Sequence, residues 1–181
     1  MLTWNKANEI GGGADEPGSL TPFGKEAVRE MERLGMVIDV SHASDPLFWS
    51  VAENTEKPFV ATHSDSRAVC PHRRNLTDEE FSEICRRGGL VGLNFTREFL
   101  SEAGDRAVPE DILQHAEHFL ALGGENVLAM GSDFDGTVVP DGITGIESME
   151  EIAEMFLRHN YSEKLVSKIF YENAHKFFQS L

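Results

Sequence analysis

The sequence is poor in several features that would point to particular classes of protein. Among 181 residues there are two cysteines, Cys70 and Cys85, and no CxxC pair. A cysteine-based zinc site is therefore excluded, and two free thiols in a reducing compartment are expected. Basic residues are scarce, 16 against 31 acidic ones, which gives a net charge of −15. Nucleic acid is not expected as a partner, because phosphate binding needs clustered Lys and Arg.

Long hydrophobic runs are absent too. No stretch of 18 apolar residues occurs, and the start MLTWNKANEI lacks the basic and apolar regions of a signal peptide. We therefore expect no membrane-spanning segment and a cytoplasmic location. Hydrophobic residues make up 40% and charged residues 26%, which is ordinary for a globular protein. With no linker evident inside the chain, residues 1–181 are expected to form one domain.

What the sequence does contain is a regular alternation of short apolar segments with helical patterns. Strands are predicted at residues 37–40, 59–61, 90–95 and 127–130, with a possible edge strand ending at residues 2–5. Helices are predicted at residues 21–34, after Ser44, after Thr77, at 109–122, at 148–158 and at 162–178 with a break near Asn173. Alternation of this kind predicts an α/β fold with a parallel sheet.

Four predicted strands end in polar side chains. His42 and His63 follow the first two apolar runs, and Asn94 and Asp133 end the later ones. Parallel strands place their carboxyl ends on one edge, where α/β folds bind ligands. Two neutral imidazoles and a carboxylate match the ligands of a zinc site. Each histidine could instead cap its strand by hydrogen bonding, and Asp133 could simply belong to a turn.

Other polar residues are more ambiguous. Arg74 follows the strand of His63 and could clamp a carboxylate with two hydrogen bonds, although such an arginine is often a surface charge. His115 and His118 are three residues apart on a predicted helix, a spacing that can bind metal. That helix belongs to the outer layer, so a ligand role is not favoured, and His72 is left undecided.

At these residues the chain resembles the membrane (renal) dipeptidase family, the M19 zinc peptidases. The resemblance is carried, in the family's order, by LTWN, LTPFGKEAVREMERLGMVIDVSHAS, ATHSDSRAVCPHRRN, GGLVGLNF and GSDFDG. It implies a (β/α)₈ barrel with two zinc ions at the carboxyl rim, and hydrolysis of dipeptides. His42 and His63 then resemble two ligands of one zinc. Asp133 resembles the proton-handling aspartate, and Arg74 the arginine that contacts the substrate carboxylate.

The resemblance also implies what is missing. The family's first-strand His-x-Asp and its bridging glutamate have no counterpart, and Trp4 and Asn5 stand where many members have a further histidine. A full barrel takes about 250 residues. We therefore expect a partial TIM-type (β/α) barrel with about five of eight parallel strands and outer helices, carrying half of a binuclear zinc site.

Three expectations about activity and assembly follow. The chain is expected to be a metal-dependent dipeptidase segment with little or no activity alone; the alternative is a non-catalytic metal- or protein-binding remnant. A flavodoxin-like sheet is disfavoured because no GxGxxG or GxxxxGK loop occurs. Open sheet edges and an uncovered apolar interior predict a homo-oligomer, most simply a dimer, or a complementary N-terminal chain.

Overall fold

The computed structural model describes all residues, 1–181, and contains a parallel sheet of three strands. The strands are β1 (Val60–Ala61), β2 (Leu90–Leu93) and β3 (Leu128–Met130), in the order β1-β2-β3. Val60 pairs with Leu90, and Val91 pairs with Leu128. The fold is thus a mixed α/β fold with parallel strands, as predicted.

Helices precede, connect and follow the strands. They are α1 (Pro22–Arg33), α2 (Asp45–Asn54), α3 (Asp78–Arg86), α4 (Arg97–Leu100), α5 (Asp111–Ala121), α6 (Met149–Arg158), α7 (Glu163–Ser167) and α8 (Asn173–Gln179). A π-helical turn, Lys168–Glu172, joins α7 to α8. No helix is both long and apolar enough to cross a membrane.

The helix starts show which sequence signals were reliable. Thr21 caps α1 by accepting a hydrogen bond from the Gly24 backbone N–H, and Pro22 occupies the first helical position, as predicted. Thr77 and Glu80 form the predicted capping box of α3. The capping box predicted at Ser148 is wrong, because its hydroxyl bonds the Thr144 backbone N–H rather than the first turn of α6.

Two predicted strands do not form ladders. Residues 37–40 make a single parallel bridge between Asp39 and Val60. Beyond it the Asp39 carboxylate, not a backbone carbonyl, accepts the Thr62 backbone N–H at 3.2 Å, so the ladder stops there. Residues 2–5 pair with a loop instead of the sheet: the Asn5 carbonyl accepts the Asp15 backbone N–H at 2.7 Å. The structure therefore shows three strands and one bridged segment rather than five strands.

The C-terminal helical region is continuous. The irregularity predicted near Asn173 is a π turn, Lys168–Glu172, that ends at the residue before it and does not interrupt the helical region. Asn173 is buried, and its side-chain amide donates to the backbone carbonyls of Glu125 and Leu128 at 3.0 and 2.8 Å. These bonds fasten the start of α8 to the edge of the sheet.

The α8 helix covers one face of the sheet. Val60, Leu90 and Ala129 form a buried apolar cluster with Phe177, while the alternate strand residues face the main core beneath the other helices. The expected uncovered interior is therefore wrong. Eight of the nine strand residues that we expected to need a partner are buried within this chain, and Val37 is half-buried; the eight are Ile38, Val40, Val60, Leu90, Val91, Leu93, Val127 and Leu128.

Candidate active site

The carboxyl ends of the strands meet in a tight polar cluster. Ser64 donates its backbone N–H to the Gly92 carbonyl at 2.8 Å, so β1 and β2 stay close beyond the regular ladder. A Cβ atom on Gly92 or Gly131 would lie 2.1 or 2.0 Å from the Thr62 carbonyl oxygen. Only glycine allows the strands to approach this closely, and that approach brings His63 to the centre of the rim.

His42 and His63 are in direct contact there. Their Nε2 atoms are 3.0 Å apart and their ring centroids 5.0 Å apart. His42 is buried, and His63 is half-buried beside it. The two histidines that the sequence placed at neighbouring strand ends therefore form one pair.

Hydrogen bonds at the Nδ1 atoms set the tautomers of the pair. The Asn5 side-chain oxygen lies 2.7 Å from His42 Nδ1 and accepts its proton. Thr62 Oγ1 gives its own proton to Asp39 at 2.6 Å, so it can only accept from His63 Nδ1, 2.8 Å away. Both Nε2 atoms are then unprotonated, and two lone pairs face each other across 3.0 Å. Such lone pairs repel unless a cation lies between them.

The surrounding charges favour neutral imidazoles. Burial, with a smaller contribution from the positive charge of Arg74, lowers the pKa of His42 to about 3. Burial and Arg74 also lower the pKa of His63. Burial opposes ionisation of Asp39, but hydrogen bonds from Ser41 and Thr62 outweigh it and lower the pKa of that carboxyl. An ionised Asp39 thus anchors the chain of hydrogen bonds that orients His63.

Arg74 lies deep in the same rim with no hydrogen-bonding partner. It is 5% exposed, and none of its three guanidinium nitrogens contacts a protein acceptor. Burial lowers its pKa to about 10, although the nearby carboxylates of Asp133, Asp39 and Asp65 oppose this effect. A buried guanidinium with free N–H groups is a strong candidate for binding an anion.

Asp133 is on the β3 side of the cluster. Its backbone is left-handed, with φ of 60°, and one carboxylate oxygen lies 3.4 Å from the Asn94 side-chain amide nitrogen. A Cβ on Gly136 would lie 2.3 Å from its other oxygen, so a larger residue there would have to displace the Asp133 carboxylate. The predicted turn and the placement of the carboxylate at the rim are thus both present.

The remaining histidines lie elsewhere or act differently. His115 is fully buried, accepting from the Ser66 backbone N–H and donating to the Leu100 carbonyl, while His118 bonds Asp78. Both have structural partners away from the rim. His72 is near Arg74: its Nδ1 accepts the Arg74 backbone N–H at 3.2 Å.

Sequence reasoning missed the residues that orient the histidines. Asn5, the partner of His42, lies near the start of the chain, and Asp39, which orients His63 through Thr62, lies within the segment 37–40. No motif spacing connects either residue with its histidine. The hydrogen-bonding capacity of Asp39 within the apolar run around it was the one available signal, since a carboxylate in a buried segment needs partners. Trp4 is 67% exposed, with its ring centroid 6.1 Å from that of His42, so it borders the site.

The donor set fits a metal ion in part. Two unprotonated imidazole nitrogens, each with its other nitrogen hydrogen-bonded, are typical of metal ligands. No group of three or more His, Cys, Asp or Glu side chains converges in a metal-binding arrangement. The chain therefore offers two ligands, where a catalytic zinc usually has three from protein.

Comparison with solved structures first shows which class of protein the chain resembles. A metallopeptidase from Rhodobacter sphaeroides, solved with a phosphinate mimic of the dipeptide L-Ala-D-Ala, is 35% identical and superposes with a TM-score of 0.92 over 98% of this chain. A second solved metallopeptidase, dipeptidase AC of family M19, is 34% identical with a TM-score of 0.93 over 98% of this chain. The chain thus shares the fold of these two metallopeptidases and about a third of their aligned residues.

A match to a known protein family then identifies the family of the chain. Residues 1–181 match the membrane dipeptidase family, peptidase family M19, and the chain belongs to that family. An uncharacterized dipeptidase of Schizosaccharomyces pombe is 33% identical over 84% of this chain and 36% of its own length. The chain spans 56% and 54% of the lengths of the two solved relatives. The predicted family resemblance is confirmed.

Proposed function

We propose that this chain contributes to metal-dependent hydrolysis of dipeptides. The observation that carries the proposal is the His42–His63 pair, whose Nε2 atoms lie 3.0 Å apart. Membership of the membrane dipeptidase family supports the same reaction. The solved Rhodobacter sphaeroides relative binds a mimic of L-Ala-D-Ala, which makes that dipeptide the first substrate to test.

Each rim residue has a role in this proposal. His42 and His63 would hold a zinc ion, which when bound supplies a Lewis acid that makes water nucleophilic near neutral pH. Asp133, at the edge of the cluster, would accept and return a proton at its carboxylate. Arg74 would bind the carboxylate of the dipeptide through its free N–H groups.

We further propose that these residues form part of a larger site. Two protein ligands fall short of a full catalytic zinc shell, and two-metal activation of water needs a second ion about 3.5–4 Å away. The chain would then be a partial (β/α) barrel with half of a binuclear zinc centre. Its dipeptidase activity, measured alone, is expected to be weak or absent.

Calorimetric zinc titration combined with a dipeptide assay tests the proposal. The wild type should bind one zinc ion, and His42→Ala should lose that binding by at least tenfold, because removing one of two ligands leaves a single imidazole. His118→Ala is the matched control, since His118 bonds Asp78 outside the rim. Equal zinc binding by wild type and His42→Ala would refute the metal site.

One observation favours a second candidate function, a non-catalytic binding module. No set of three or more metal-binding side chains converges, so the chain could bind a metal without turning over a substrate. Zinc binding together with complete inactivity, persisting when the chain is mixed with a complementary N-terminal half of a relative, would favour this candidate. Recovery of L-Ala-D-Ala hydrolysis in the mixture would favour the dipeptidase.

Assembly is also proposed rather than observed. Burial of the strand residues within the chain removes the main reason for expecting a dimer, but Tyr171, Phe178 and Leu181 remain 62%, 55% and 66% exposed. This apolar surface on and beside α8 would suit a second copy or a complementary chain. Light scattering at low micromolar concentration separates a monomer from a stable dimer.

A further inference from the structure

Arg74 raises a structural question that the proposed function does not answer. A buried guanidinium is costly unless its charge is stabilised, yet no carboxylate hydrogen-bonds it. Asp133, Asp39 and Asp65 act on it only through their charges. Something else must hold the side chain in one orientation.

The Phe99 ring is the group that contacts it. The Arg74 guanidinium carbon lies 5.4 Å from the centroid of the Phe99 ring, within the range of a cation–π interaction. The same ring stacks on His72, with centroids 4.4 Å apart and planes inclined by 25°. Phe99 is therefore in contact with both the arginine and a histidine from the same loop.

Hydrogen bonds between side chains and the backbone fix this arrangement at both ends. His72 Nδ1 accepts the Arg74 backbone N–H at 3.2 Å, so the stacked imidazole also shapes the turn that carries the arginine. The Asn75 side-chain amide donates to the carbonyls of Phe99 and Cys70 at 2.8 and 2.9 Å. The loop that carries Arg74 is thus tied to α4, the short helix that contains Phe99.

We propose that Phe99, supported by His72, is a positioning residue that holds the Arg74 guanidinium ready for a substrate carboxylate. The proposal rests on the proposed function, in which Arg74 binds the dipeptide carboxylate. A carboxylate neighbour would stabilise the arginine equally well, but it would occupy the N–H groups that the substrate needs. A ring face stabilises the cation and leaves every donor free. This difference gives a physical reason for an aromatic residue at this position.

Binding of N-acetyl-D-alanine to the full chain without added metal tests the proposal. This probe has a carboxylate but no free amine, so its binding reports on the anion site alone. Phe99→Met removes the ring at similar volume and should weaken binding roughly tenfold. Phe99→Tyr keeps the ring face and should bind within about twofold of wild type. Arg74→Lys should bind poorly, because lysine lacks the bidentate fork.

A matched control separates positioning from general packing. Phe81 and Phe119 stack in the core with centroids 4.0 Å apart. Phe119→Leu should lower the stability of the protein yet leave carboxylate affinity unchanged. In the wild type, the Arg74 Nε proton should also resonate upfield in ¹H–¹⁵N spectra because of the Phe99 ring current, with the signal assigned by its absence in Arg74→Lys. This measurement does not depend on any Phe99 variant folding.

The outcomes are decisive and separate the two proposals. Unchanged affinity in Phe99→Met, no measurable carboxylate binding by the wild type, or an Arg74 Nε proton at an ordinary shift would overturn the positioning role. Loss of binding in Phe99→Met with retention in Phe99→Tyr supports it. A chain that binds the probe in this way but hydrolyses no dipeptide, even when mixed with a complementary N-terminal half of a relative, would refute the catalytic proposal alone.

Discussion

The two ends of the sheet differ sharply in composition. Towards the amino ends of the strands, Val60 and Leu90, together with Ala129 in the middle of β3, pack on Phe177 in an apolar cluster. At the carboxyl ends, β1 leads into the half-buried His63, which contacts the buried His42, and then into Arg74, a buried arginine without a hydrogen-bonding partner. The amino end is a packed apolar cluster, and the carboxyl end contains buried polar groups without hydrogen-bonding partners.

This contrast indicates a division of labour. Unpaired buried charges and facing lone pairs destabilise a folded protein, so they persist where they serve binding or chemistry. In (β/α) folds the carboxyl face carries the reactive groups, while the opposite face contributes stability. Substitutions at the apolar end should therefore affect stability alone, and those at the rim should affect ligand binding more than stability.

The largest effect on stability is expected at the apolar end. Phe177→Ala should lower the free energy of unfolding by about 3–4 kcal/mol, because it leaves a cavity against three strand residues. Urea denaturation measures the change. Phe178→Ala is the control: that side chain is 55% exposed, and its loss should change stability by no more than about 0.5 kcal/mol. Similar losses in both variants would show that α8 does not seal the sheet through Phe177.

The next largest effect on stability should be a loss at acid pH that is caused by His42. The folded-state pKa of His42 is lowered to about 3, mainly by burial, whereas an unfolded histidine titrates near 6.5. Between these values the unfolded chain binds more protons, so stability rises with pH and is lost as the pH falls below about 6.5. From pH 7 to 5 the metal-free wild type should lose about 1–2 kcal/mol more than His42→Gln. Parallel losses in both proteins would mean that His42 is not the group responsible.

Some features of the fold and of the site could be predicted from the sequence. The parallel α/β class, the cap of α1 and the capping box of α3 follow from local patterns, because strand periodicity and caps depend on neighbouring residues. His42, His63, Asn94 and Asp133 could be assigned to one rim because strand polarity alone determines that side, whereas Arg74 was assigned to the site only by the family resemblance. Their roles in metal and substrate binding remain predictions.

Long-range partners were not visible. Asn5 reaches His42 across 37 positions, and Phe99 reaches Arg74 across 25, so no local pattern connects either pair. The packing of Phe177 against the sheet was not predicted for the same reason. Helix periodicity does not show which face of a sheet a terminal helix will cover. The missing ladder between residues 37–40 and β1 has a different cause: the side chain of Asp39 replaces a backbone carbonyl as the acceptor of the Thr62 N–H.

Arg74 should show the difference between stability and ligand binding most directly. Arg74→Met should raise the free energy of unfolding by about 1 kcal/mol, because replacing an unmatched buried charge with an apolar side chain is often stabilising. The same change should abolish binding of N-acetyl-D-alanine. Arg73→Met is the control, since Arg73 is exposed and pairs with Asp15 at 2.7 Å; there both measurements should change little. A destabilised Arg74→Met would place the arginine among the structural residues.

The smallest effect should come from a rim-side residue with no functional role. Thr77 starts α3 just after the loop that carries Arg74, and its hydroxyl accepts the Glu80 backbone N–H at 3.2 Å. Thr77→Ala should cost about 1 kcal/mol, the usual value of a helix N-cap, without changing zinc or carboxylate binding. Ser44→Ala is an informative comparison, because Ser44 starts α2 without a side-chain bond to that helix and instead bonds the Gly12 carbonyl at 3.0 Å. If Thr77→Ala weakened carboxylate binding, the loop would depend on the helix start for its shape. The boundary between structural and functional residues would then lie inside α3 rather than at the rim.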